Sequence, residues 1–274
     1  MEPITLKRCF IGAWIDGFNA LRNRPLLTLI VALVVLVSSA LGISLKQLAS
    51  AAAQGGDATY RLNIALLSLG VGLVNLIALA VLAVHILRYV ILGPDVARQS
   101  PWFGRDVWRY IWLSLQLVIA MMIAAFIPAF IIGFAMRMSG NSHSYPLLAT
   151  FIALMACAAV FVITRISLIY AQVAVGRSKR WGAAWQDSRG HFWSMFGTVF
   201  VTFLPLFGTG IVITLLLALV LRFMPEVTIA VLGSLILKTV FSIAWLAVAC
   251  GVGGWLYHRY ANQLLLMDGA PDDL

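Results

Sequence analysis

Charge is what this chain has least of. Of 274 residues only 11% are Asp, Glu, Lys or Arg, while 62% are hydrophobic; soluble domains carry roughly a quarter charged residues to cover their surface. That excludes an ordinary water-soluble fold and makes lipid the solvent for most of the protein. Cysteine is scarce too, and Cys9, Cys157 and Cys250 lie far apart with no CxxC or ligand-type spacing. Neither a disulfide framework nor a zinc site is supported, and free, mostly buried thiols are expected. A cleavage site of small residues behind a short apolar core is also missing. The first 24 residues instead interleave Lys7, Arg8, Asp16, Arg22 and Arg24 with apolar positions, so the N-terminus is expected to be retained.

The usual catalytic sets are missing as well. There is no Gly-x-Ser-x-Gly, no P-loop, no dinucleotide fingerprint and no HExxH pair, each of which would place a nucleophile, phosphate cradle or metal. No segment between apolar runs is long enough to fold as a soluble domain. The expectation is a protein that is not an enzyme and carries no cofactor and no metal.

What is present is six apolar runs of the ~20 residues needed to cross a ~30 Å hydrocarbon core: Pro25–Leu45, Leu62–Leu87, Tyr110–Met136, Pro146–Val175, Phe192–Leu221 and Val227–Tyr257. The expected fold is all-α, a single six-helix transmembrane domain over 1–274. Six crossings put both termini on one side, and the Lys and Arg census says which. Lys46, Arg61, Arg137 and Arg222 fall on one side, Arg165 and Lys238 fall inside spans, and the other thirteen of the nineteen lie on the side of the termini. Positive short loops stay cytoplasmic. The termini are therefore expected in the cytoplasm, with the protein in a bacterial inner membrane. The net charge of +9 is then explained by anionic phospholipid headgroups, with no need for nucleic acid.

The connections on the basic side carry aromatic and basic residues before each outgoing span, predicting short interfacial helices over about 4–22, 101–110 and 178–191. In the first, Phe10, Ile11, Trp14, Ile15, Phe18 and Leu21 fall on one helical stripe, the pattern of a helix lying in the interface. In the third, Trp181 and Trp185 are four apart. An interfacial helix followed by two spans, three times over, suggests three tandem two-helix units beginning near Met1, Gly93 and Gly176. Pro128 and Pro205 mark expected kinks in the third and fifth spans.

An ionisable residue within the bilayer costs ~2.5–3.5 kcal/mol at its centre and is a functional candidate for that reason. Arg165 and Lys238 are the two, and none of the six runs contains Asp or Glu. Three readings remain open for the missing charge: the side chains reach an interface along their aliphatic stems, an interfacial carboxylate meets them, or a partner or phosphate-bearing lipid does. For Arg165 the favoured partner is Asp187 or Asp106. Arg180 and Arg189 complete the set of ligand- or lipid-binding candidates. His85, His191 and His258 all sit near the ends of spans on the basic side; nothing fixes their separation, and headgroup-level histidines are the expectation.

The run Arg165-Ile166-Ser167-Leu168, the segment Ala184-Trp185-x-x-Ser188-Arg189-x-x-Phe192-Trp193 leading into Phe196-Gly197, and the ending Trp255-Leu256-Tyr257-His258-Arg259-Tyr260 resemble a family of small bacterial six-span proteins related to the membrane domain of glycerophosphoryl diester phosphodiesterases. The likeness covers most of the chain in layout and about 35 residues in letters. Family members often show Leu-Ala-Leu-Pro-Ala after the arginine, where this chain has Ile169-Tyr170-Ala171-Gln172, and the phosphodiesterase domain is absent. The resemblance implies a membrane module, in some cases an anchor or partner for lipid-directed enzymes. Two functions follow for testing: a lipid- or partner-binding scaffold or accessory subunit, and a small transporter or exporter of an anionic or lipid-like substrate, which would need a polar cavity near the midplane. Another membrane protein or enzyme is a conceivable partner, and the oligomeric state is left open.

Overall fold

The computed structural model describes residues 5–53, 57–138, 145–223 and 227–266. Among them every regular element is a helix, and six are long and apolar enough to cross a membrane: α2 (Pro25–Ala53), α3 (Ala58–Leu92), α5 (Arg105–Met138), α6 (Tyr145–Ala174), α8 (Phe192–Phe223) and α9 (Val227–Tyr260). The chain is an all-α, six-span, multi-pass membrane protein. Shorter helices lie between and after the spans: α1 (Leu6–Asn23), α4 (Pro94–Gln99), α7 (Trp181–Asp187) and α10 (Gln263–Leu266).

The long helices run past the apolar stretches. Lys46 and Arg61, expected in a loop, sit inside α2 and α3. The alanines and leucine between Lys46 and Ala53 are good helix formers, and Arg61 donates from Nε to the Ala52 carbonyl at 3.0 Å, tying the two helix ends together. The other two connections on that side fall on residues 139–144 and 224–226, outside the described residues. α5 and α8 remain helical through Pro128 and Pro205.

A short helix followed by two long ones does occur three times. Two glycines punctuate it. Gly93 closes α3 with φ 91° and Gly176 follows α6 with φ 86°, the left-handed conformation that reverses a chain at a helix end and that a side chain would strain. The middle short helix is not where the aromatic pattern put it. Residues 101–104 are non-helical and Arg105–Tyr110 forms the first turns of α5; the short helix is Pro94–Gln99 instead. Proline explains both ends: Pro94 at the first helical turn is preorganised for a start, and Pro101 holds Ser100 extended (φ −67°, ψ 142°), which stops it. The third short helix ends at Asp187, where residues 188–191 turn through Gly190 at φ 81°.

α1 packs along α9. The residues it buries fully are Cys9, Ala13, Gly17 and Ala20, while Trp14, Phe18 and Leu21 are half-buried against the core and Ile11 and Ile15 point outward. Its small-residue face lies along α9. A Cβ on Gly17 would stand 2.6 Å from the Ala247 carbonyl oxygen, and one on Gly251 would stand 2.3 Å from that of Ala13. This is membrane logic: lipid tails are as apolar as leucine, so helices gain most by close backbone approach, and the bulky side chains are left to the lipid. Trp14 adds a bond from Nε1 to the Thr202 carbonyl of α8 (3.2 Å), and Trp255 donates to Asp16 (2.9 Å).

α9 is the centre of the bundle, the most buried of the spans, packed by α1, α2, α3, α6 and α8; α5 is the least buried and leans on α3 and α6. Leu82, Ile86, Leu113, Leu168, Ile169, Met195, Leu256 and Tyr257 fill the core. All lie toward the face where α1, α4, α7 and α10 gather, called the basic face below. The distant halves of α3, α5 and α8 expose leucine, isoleucine and phenylalanine instead, including Phe126, Phe130 and Phe134.

Candidate functional site

Arg165 lies on α6, nine residues before its end. Its guanidinium packs against two rings set edge to face, 5.0 Å from the centroid of Phe161 and 4.6 Å from that of Trp185 on α7. Nη1 makes a long contact to the Trp185 carbonyl (3.5 Å), and Nε is buried without a hydrogen-bond partner. The rings belong to an aromatic wall that continues through Phe192, Trp193, Phe196 and Phe200. The side chain does turn toward α7 at the basic face, as expected. The carboxylate does not meet it.

Both expected partners are engaged elsewhere, and this corrects the clamp anticipated at Arg165. Asp106 pairs with Arg88 of α3, whose Nε also donates to the Ala174 carbonyl at 2.8 Å. Asp187 accepts from the backbone N–H groups of Gln263 (2.9 Å) and Leu264 (3.1 Å), so it caps α10. The reason is competition: α10 presents unsatisfied N–H groups and Arg88 a planar fork, both within reach, while the flat arginine at 165 finds ring faces. Of the remaining candidates, Arg189 is exposed just beyond α7, and Arg180 donates from Nε to Ser178 (3.2 Å).

Lys238 faces outward from α9 into a groove of about 520 Å³ between α8 and α9, lined by Phe207, Ile211, Thr214, Ser234, Phe241 and Trp245 among others. It is the single cation of that lining, beside Thr214 and Ser234. Arg165 packs against Phe161 and Trp185 while Lys238 lines the groove between α8 and α9, so the two do not form one site.

The histidines are also separated. Buried His85 bonds through Nε2 to the Ala20 carbonyl of α1 (3.2 Å), and His258 through Nε2 to the Val90 carbonyl of α3 (3.1 Å), while His191 stacks on Tyr260. Two of them act as staples between helices. Among the described residues no three His, Cys, Asp or Glu side chains come together as a metal would require.

Three polar groupings were not visible as sites in the sequence. The first is Arg88–Asp106 with the Ala174 carbonyl, packed under Gly176, whose Cβ position lies 3.3 Å from Asp106 Oδ2. The second is a buried chain in which Arg177 donates to the Tyr257 hydroxyl (2.9 Å) and that hydroxyl to Gln172. The third is a crowding of cations. Arg24 donates to the carbonyls of Arg98 and Ser100; burial first, then the charges of Arg88 and Arg98, pull it below the ordinary arginine range. Lys179 is likewise lowered, by burial first and the Arg109 charge second. The only sequence signal for these was that Asp106 and Asp187 had to be shared among many bases.

No protein-family model, curated protein or solved structure matches this chain. The fold with its basic face defines the class, a polytopic α-helical membrane protein, and the site residues carry the reading beyond that.

Proposed function

We propose that this protein is a non-enzymatic scaffold or accessory subunit of a bacterial cytoplasmic membrane, oriented with its basic face and both termini in the cytoplasm, that binds anionic phospholipid and through it, or beside it, a partner. One observation carries the reading: the described carboxylates of the basic face with tertiary partners are spent on structure, while neighbouring cations are left for charge from outside. Asp106 holds Arg88, Asp187 caps α10 and Asp16 takes the Trp255 N–H. Among the described residues Arg165 has ring faces and a backbone carbonyl as partners, and neither Arg109 nor Lys179, which stand near each other, pairs with a carboxylate. A leaflet rich in anionic headgroups neutralises such a surface, and tryptophans at its rim are the side chains suited to that depth.

A scaffold fits the interior better than a transporter does. The space between α3, α6 and α9 is filled by Leu82, Ile86, Ile169 and Leu256, and two grooves open on the flanks, between α8 and α9 and between α5 and α6. The resemblance to the membrane domain of glycerophosphoryl diester phosphodiesterases supports the same reading: a module that works beside lipid-directed enzymes. Asp16, Asp106 and Asp187 are in structural bonds.

The test is the lipid that the protein keeps. Protein extracted in mild detergent and purified is analysed for bound phospholipid against the source membrane. Enrichment of phosphatidylglycerol or cardiolipin over phosphatidylethanolamine is expected; retained lipid that mirrors the bulk composition overturns the reading.

A further inference from the structure

The groove between α5 and α6 has apolar walls, and Lys179 reaches one of its lining residues, Gln116, from outside it. Its walls include Ile119, Ala120 and Ile123 of α5 and Val162 and Ile166 of α6, enclosing about 480 Å³, with Trp112 and Trp181 at the end nearest the basic face. From Trp112 to Ile123 the groove follows eleven residues of α5, about 17 Å at 1.5 Å per residue. One leaflet is half of a ~30 Å hydrocarbon core, so the groove is about one leaflet deep.

At the mouth, Lys179 donates from Nζ to Gln116 Oε1 at 3.4 Å. Arg109, half-buried one turn before Trp112, is close enough for its charge to disfavour the lysine's own. Among the described residues no carboxylate pairs with either. Two like charges brought together at a half-buried site cost free energy unless an anion joins them, and a phosphate diester is the anion whose other end is apolar. The indoles of Trp112 and Trp181 are both exposed at this level, where amphipathic rings meet the glycerol and ester region.

We infer that this groove is a binding site for one anionic glycerophospholipid of the leaflet at the basic face, its phosphate between Arg109 and Lys179 and an acyl chain along Ile119, Ile123 and Val162. The site rests on the lipid-binding reading above and narrows it to one place. Phosphatidylglycerol is the simplest lipid of this class. Phosphatidylcholine with the same chains carries its own cation beside the phosphate and is repelled by the pair. Gln116 anchors the lysine and leaves the phosphate to both cations. The opposite groove at Lys238 lacks the second cation and the second tryptophan.

Native mass spectrometry of the full-length protein in detergent tests the assignment, with dioleoylphosphatidylglycerol, dioleoylphosphatidylcholine and inorganic phosphate as separate probes. The Arg109→Gln/Lys179→Gln pair is expected to bind phosphatidylglycerol about tenfold more weakly, the loss of a charge-assisted contact to phosphate. Ala120→Phe, on an exposed position that leaves both charges in place, obstructs the chain and is expected to weaken binding as well. Inorganic phosphate alone is expected not to compete. Neither cation bonds the backbone of another element in the described structure, so both variants are expected to keep the wild-type circular dichroism and elution profile. Undiminished phosphatidylglycerol binding by both variants, or equal binding of the two lipids by wild type, overturns the site. If wild type retains no anionic lipid, the function proposed above falls with it; if wild type retains it and the variants retain as much, only the placement falls.

Discussion

Gly251 of α9 lies against Ala13 of α1 so closely that a Cβ at 251 would stand 2.3 Å from the Ala13 carbonyl oxygen, with backbone rather than a flexible side chain in the way. The crossing is completed by Gly17 against Ala247. It makes α1 a packed member of the bundle, since no residue larger than glycine lets the two backbones approach so far.

Gly251→Ala and Gly17→Ala are therefore expected to destabilise the protein, by about 1–3 kcal/mol each for overpacking a close contact, and to loosen α1 first. Gly42→Ala and Gly208→Ala are the controls: both glycines are helical and have nothing within 4 Å of the Cβ position, so they are expected to be neutral or to gain helix propensity. Thermal unfolding in detergent compares the four. A uniform response across the set would show that the crossing is not under steric control.

The Arg88–Asp106 pair sits in the bundle with side chains 8% and 25% exposed. Removing one member leaves the other's charge with poor access to water, which costs about 3 kcal/mol in buried pairs. Arg88→Met is expected to lower the unfolding midpoint sharply, and it also orphans the Ala174 carbonyl. The double variant Arg88→Met/Asp106→Leu is expected to recover part of the loss, because two apolar groups need no partner. A double variant worse than the sum of its singles contradicts the pairing.

The legibility of this chain divides by the physics that sets each feature. The spans were plain because burial in lipid demands long apolar runs, and only their ends moved: Lys46 and Arg61 lie within helices because helix propensity continues past the hydrophobic stretch. α1 was located, and its outward Ile11 and Ile15 agree with an apolar stripe that faces lipid. The stripe did not show the second face: a helix packed in a membrane buries its small residues, here Cys9, Ala13, Gly17 and Ala20. The Arg165 partner was misassigned because charge counting ignores rings: Trp185 is two residues from Asp187, and nothing in the spacing said which would reach. Arg88 was counted as one more loop cation, since its bond to Asp106 spans 18 residues across the α4 turn.

Cys9 offers a chemical probe of the α1 packing. It is fully buried, and that burial pushes its thiol up from the ordinary range, while the neighbouring Arg259 pulls it partly back through a hydrogen bond and its charge. A raised value means less thiolate at a given pH, and thiolate is the reactive form. In a Cys157→Ala/Cys250→Ala background, maleimide labelling at pH 8 is expected to be much slower in folded protein than after unfolding in SDS. Labelling is expected to accelerate as pH rises above the usual thiol range. Gly251→Ala, by lifting α1, is expected to speed it at constant pH. Equal rates in folded and unfolded protein would place Cys9 at the surface.

The last prediction concerns how Arg165 is held. If ring faces hold it, its energy is coupled to Trp185 and not to the two carboxylates. A guanidinium over an aromatic face contributes about 0.5–2 kcal/mol depending on how dry it is, and here Nε is already buried without a hydrogen bond. A double-mutant cycle of Arg165→Met with Trp185→Leu, followed by unfolding, is expected to give a coupling in that range. The corresponding cycle with Asp187→Asn is expected to fall within the few tenths of a kcal/mol that separate independent sites, although Asp187→Asn alone still costs stability by weakening the cap on α10. Arg165→Lys separates the two mechanisms further: an ammonium can still serve an ion pair, but lacks the flat face that packs against Phe161 and Trp185. It is expected to behave nearly as badly as Arg165→Met. Rescue by lysine together with strong coupling to Asp187 would restore the ion pair and remove the case for ring faces as the partner.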